Sequence, residues 1–73
     1  MIYRLYIAGY EQTQPNAAMT IDTEPQVSFL FAPENPDYQN FKKQILADEA
    51  QLQDAEGNTM TAEQAKTYVA TLP

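Results

Sequence analysis

The stretch at positions 27–45, VSFLFAPENPDYQNFKKQI, constrains the fold more than any other part of this chain, because an alternating apolar run enters a proline-bounded turn and leaves it as an amphipathic helix. Val27, Phe29 and Phe31 alternate with Ser28 and Leu30, the period of a strand with one buried face, and the spacing predicts a strand over about 26–32. After Ala32-Pro33-Glu34, Asn35 carries the side-chain oxygen of a helix N-cap. Pro36 follows at the first helical position, where a missing N–H costs nothing, and Asp37 lies in the first turn, near the positive end of the dipole. Tyr38, Phe41, Ile45 and Leu52 share one stripe at helical spacing, flanked by Leu46, which predicts a helix over about 36–52 packed on the strands. Glu49 falls on that stripe. A buried, unpaired carboxylate is costly, so either the stripe leaves the core there or Glu49 finds a partner.

A second alternating run at 2–8 places Tyr3, Leu5 and Ile7 on one face and Ile2, Arg4 and Tyr6 on the other, and predicts a strand. Large apolar side chains on both faces imply a neighbouring chain over the second one, unless Ile2 and Tyr6 lie half-exposed. Gly9 breaks the pattern, and 10–25 is rich in Gln, Thr, Asn, Glu and Pro, with Met19 and Ile21 as its isolated large apolar anchors. This segment reads as a long polar loop, or an arm that orders against a partner, although Met19, Ile21 and Thr23 alternate as a short extra strand would. With no crossover helix between them, the two main strands are expected to pair antiparallel. Asp54-Ala55-Glu56-Gly57-Asn58 reads as a turn with Gly57 or Asn58 at positive φ; a calcium loop needs Gly and a bidentate Glu at positions this segment does not supply. Thr61-Ala62-Glu63-Gln64 matches a capping box, and Ala65, Tyr68, Val69 and Leu72 form the apolar face of a helix over about 62–72. The expectation is one small α+β domain over 1–73: a small antiparallel sheet (strands about 2–8 and 26–32), a helix at about 36–52 and a C-terminal helix at about 62–72.

A chain of 73 residues buries a modest core, and domains of this size usually gain their margin of stability from a disulfide, a metal or a partner. This chain has no Cys and no His, which removes disulfides, thiolate ligands and the commonest zinc ligand. Association is left, with itself or with another protein. Four basic residues against ten acidic ones, for a net charge of −6, argue against a nucleic-acid partner, since a phosphate backbone is held by clustered Lys and Arg. No run approaches the ~20 apolar residues of a membrane span, and the N-terminus does not read as a signal peptide, so neither a membrane nor processing is expected. Catalysis is not expected either: Ser28 sits mid-strand without a base, the paired carboxylates read as solvated charge, and two glycines, Gly9 and Gly57, do not make a phosphate-cradling loop. No catalytic, cofactor-binding or metal residues are assigned.

The segment Ala32-Pro33-Glu34-Asn35-Pro36-Asp37-Tyr38-Gln39-Asn40-Phe41 resembles a pattern found in small proteins of tailed bacteriophages and in some of their tail-fibre and fibre-assembly proteins. In these an apolar strand passes through a Pro-x-Asn-x-Asp-Tyr-Gln-x-aromatic turn into a helix, often with a later Gly-Asn, here Gly57-Asn58. The resemblance implies a structural or virion-associated protein, made in the host cytoplasm and carried in the virion, that acts through contacts with itself or with other phage structural proteins. The alternative is a non-virion acidic assembly chaperone, or an inhibitor of a phage or host protein, for which the charge itself would be functional. Under the contact reading, the interface residues are Ile2, Tyr6 and Leu30 on the second sheet face and Tyr10, Met19 and Ile21 in the arm.

Overall fold

The computed structural model describes residues 1–9 and 13–72. Six elements follow one another: β1 (Ile2–Tyr6), β2 (Ala17–Thr20), β3 (Ser28–Leu30), α1 (Pro36–Leu46), β4 (Gln51–Gln53) and α2 (Ala62–Ala70). The strands form one four-stranded sheet in the order β3-β2-β1-β4, and the buried side chains of both helices join one face of it in a single core. The architecture is α+β, as expected.

Three details of the expected fold are corrected. The sheet is mixed, not purely antiparallel: β1 pairs antiparallel with β2 and parallel with β4. The two strands expected to be neighbours are not, because β2 lies between them and pairs antiparallel with each. The segment expected to be an arm thus supplies a central strand. Its signal is weak because Ala17 and Ala18 are completely buried, and this site selects small side chains, whereas strand patterns are recognised by large ones.

The third correction concerns α1, which ends at Leu46 and does not run to Leu52. Glu49 N–H donates to Gln44 C=O and Asp48 N–H to Ile45 C=O, with Asp48 at φ 60°, which is the paired closure of a Schellman motif built on a left-handed residue. Glu49 is left exposed beyond the helix end, so the conflict on the apolar stripe disappears. Leu52 is fully buried from β4, aligned with Tyr3. Polar Gln51 and Gln53 on either side of it satisfy a period of two as well as Leu52 satisfies a period of 3.6.

Local chemistry sets the helix starts. Asn35 Oδ1 accepts from Asp37 N–H at 2.9 Å, and Thr61 and Gln64 form the reciprocal capping box, each accepting from the other's backbone at 3.1 Å. Gly57, at φ 90°, closes the 54–58 turn, whose N–H donates to Asp54 C=O. The core centres on Phe41, whose ring meets Tyr3 edge-on at 5.0 Å, Phe29 at 5.5 Å, Phe31 stacked at 5.9 Å and Tyr38 at 6.4 Å. Such aromatic pairs stabilise by ~0.5–1.5 kcal/mol each beyond the area they bury.

Candidate interaction surface

Directly opposed residues of neighbouring strands share a face of the sheet, so the register decides which side chains converge. Tyr3↔Thr20, Leu5↔Ala18 and Ala18↔Phe29 lie on the helix side. The other face carries Ile2, Arg4 and Tyr6 from β1, Ala17 and Met19 from β2, Ser28 and Leu30 from β3, and Gln51 and Gln53 from β4. Ile21 N–H donates to Ile2 C=O at 3.0 Å, which extends the ladder and brings Ile21 alongside Ile2. The sheet therefore brings Ile2, Tyr6, Met19, Ile21 and Leu30 together on the face away from both helices. Met19 and Ile21 reach it from β2 and the turn that follows, not from an arm. Tyr10 lies outside the described residues.

This face is apolar without being loose. Leu30 is 52% exposed, whereas Ile2, Tyr6, Met19 and Ile21 are half-buried. A shallow groove on this face is lined by Arg4, Tyr6, Ile7, Met19, Ile21 and Gln26. Arg4 is the single charge carried by the four strands, and its Nη2 donates to Ala55 C=O at 3.1 Å, which fastens the 54–58 turn to the sheet. The alternation of 2–8 already assigns Arg4 to this face beside Ile2 and Tyr6, but nothing in it shows the bond to Ala55, fifty-one residues along the chain.

The carboxylates nearest the face hold the backbone in place. Asp22 accepts from Ile2 N–H at 2.9 Å and pairs with the N-terminal amine at 3.6 Å, and the Ile2 hydrogen bond is the main reason its carboxyl lies below the usual range. Asp54 is lowered in the same way, first by Asn58 N–H and then by Glu56 N–H. Its oxygens are occupied in closing the turn. A second concavity, between the 20–27 turn and α1, is lined by Tyr3, Thr23, Asp37, Asn40 and Gln44. Several of its polar groups serve one another: Tyr3 O–H donates to Gln44, Thr20 and Thr23 share a hydrogen bond, and Val27 N–H donates to Thr20 Oγ1 at 2.9 Å. Burial pushes the Tyr3 phenol above its ordinary pKa, with Asp37 and Asp22 adding to the shift.

Among the described residues no group of His, Cys, Asp or Glu is placed to hold a metal ion, and no helix is long and apolar enough to cross a membrane. No protein-family model, curated protein or solved structure matches this chain.

Proposed function

We propose that this protein is a bacteriophage structural or virion-associated protein that acts by docking onto another protein through the helix-free face of its sheet. The observation that carries the docking is the convergence of Ile2, Tyr6, Met19, Ile21 and Leu30, from three strands and a turn, on a face with no helix of the described chain over it. Contiguous apolar surface of this kind marks sites where proteins meet. The phage assignment rests on the resemblance of the segment 32–41. Charge favours apolar docking over an inhibitor driven by acidity, because none of the strands contributes an acid to this face although the chain carries −6. The protein works by contact, without chemistry of its own.

Two measurements test this reading. Mass spectrometry of purified particles of the parent phage is expected to find the chain at a fixed, salt-resistant ratio to the major capsid protein. Abundance in infected cells with absence from particles would overturn the virion assignment. The double variant Tyr6→Glu with Leu30→Glu is expected to fold and to be lost from particles, whereas neutralising Glu24, Asp48 and Glu49 together leaves incorporation intact. The opposite pattern would transfer the function to the acidic surface.

A further inference from the structure

Beyond the apolar face, the sheet has two edges, and they differ. The outer edge of β4 is closed: Met60 N–H donates to Leu52 C=O at 2.8 Å, Asp54 N–H to Asn58 C=O at 2.9 Å, and Gln53 bridges to Thr59. Among the described residues nothing pairs with the outer edge of β3. Thr20 N–H donates to Val27 C=O and Phe31 N–H to Asn16 C=O, which makes Met19↔Ser28 and Ala17↔Leu30 the non-hydrogen-bonded pairs and Ala18↔Phe29 the pair that exchanges both bonds. The N–H and C=O of Ser28 and the N–H of Leu30 therefore point away from β2. Leu30 C=O accepts from Ala32 N–H at 2.8 Å and retains a second lone pair. Ser28 is exposed, and Val27 and Leu30 are 39% and 52% exposed.

Natural sheets protect such an edge with a short strand, Lys, Pro or a bulge. Of these β3 has its shortness, three residues; no Lys, Pro or bulge stands in Ser28–Leu30, and no charged residue occurs between Glu24 and Glu34. In a chain of net charge −6, this is the stretch along which a second, equally acidic copy can approach without placing charge against charge.

We infer that β3 pairs antiparallel with the β3 of a second copy of this chain, about a two-fold axis at Phe29, so that two four-stranded sheets become one. The register follows from the free groups. Ser28 N–H donates to Leu30 of the partner subunit and Leu30 N–H to Ser28 of the partner subunit, each through the carbonyl, and the two-fold repeats both bonds. The edge is complementary to itself in this register, as an isologous interface must be. Because the β4 edge is closed, pairing stops at two copies instead of growing into a filament. The two apolar faces then lie side by side on one sheet and present a doubled docking surface.

The test is the mass of the wild-type chain in solution, by sedimentation equilibrium, together with Ser28→Pro. Proline deletes an N–H that β2 does not use and is tolerated on edge strands, and it leaves Ile2, Tyr6, Met19 and Ile21 in place, so partner docking survives even where self-pairing is lost. The wild type is expected at twice the 8.2 kDa chain mass, with the Ser28 and Leu30 amides exchanging more slowly as concentration rises, and Ser28→Pro at the monomer mass with unchanged far-UV dichroism. A wild type that stays monomeric at NMR concentrations overturns the inference, as does a dimer that Ser28→Pro leaves intact. Should Ser28→Pro fail to fold, the wild-type amides decide the matter: a dimer in which they exchange at a concentration-independent rate is formed by another surface.

Discussion

Replacing Phe41 with Leu tests whether the core is held by ring packing or merely by apolar volume. Phe41 is completely buried and touches the rings of Tyr3, Phe29, Phe31 and Tyr38 at centroid distances from 5.0 to 6.4 Å. Leucine keeps most of the buried area and deletes all of these ring contacts. At ~0.5–1.5 kcal/mol per pair, with partial relaxation because the rings share neighbours, the expected cost is about 2–3 kcal/mol. Ile45→Val, one turn further along the same stripe and also buried, removes a methyl from an aliphatic contact and should cost ~0.5–1.5 kcal/mol. For a 73-residue domain, total stability at ~0.05–0.15 kcal/mol per residue is about 4–11 kcal/mol, so Phe41→Leu consumes a large part of it. The assay is urea unfolding followed by far-UV dichroism, with thermal melts alongside, in which each kcal/mol lowers Tm by ~4–8 °C. If Phe41→Leu proves no more costly than Ile45→Val, the aromatic cluster adds nothing beyond area and the reasoning fails.

Thr61→Ala removes the hydroxyl that accepts Gln64 N–H at 3.1 Å and should cost ~1 kcal/mol, with the loss seen in the same urea titration. Gly57→Ala forces a side chain onto a backbone at φ 90° and should cost at least ~1 kcal/mol, although a Cβ there would meet Arg4 only at van der Waals distance, 3.8 Å from Nη2. Asp22 and Asp54 are harder to protonate in the folded chain than in the unfolded one. Their contribution is therefore complete above the ordinary carboxylate range and is lost as pH falls below it, and Asp22→Asn should flatten that acid limb of a stability-against-pH curve. At the other extreme, burial raises the phenol pKa of Tyr3, Tyr38 and Tyr68. The unfolded chain then loses those protons first, so stability should fall as pH rises past the ordinary tyrosine range, less steeply in Tyr3→Phe, by ultraviolet titration combined with unfolding.

The apolar sheet face was legible in pieces. Ile2, Tyr6 and Leu30 declare an apolar second face because alternation assigns every other residue to it. Met19 and Ile21 stood out as large apolar residues in a polar stretch, but nothing in 10–25 says which strand they lie beside. The open β3 edge is not readable at all from one strand, since an edge is defined by the absence of a neighbour.

What the sequence by itself determined is everything decided within a few residues of chain. The Asn35 and Thr61 caps, Pro36 at the helix start, the turn closed by Gly57 and the face assignments of β1 and β3 all depend on hydrogen bonds or steric limits spanning less than two helical turns. Tertiary structure alone decided the strand order, the parallel pairing of β1 with β4, and the end of α1 at Leu46. Leu52 shows why: it satisfies the helical and the strand period equally well, and only the vacant position beside Tyr3, some fifty residues away in the chain, makes the strand the conformation that buries it. Ala17 and Ala18 show the same from the other side. They occupy the centre of the sheet because they are small enough to fit beneath neighbours that the chain brings from elsewhere, and a site chosen for lack of volume leaves no periodic signal to read.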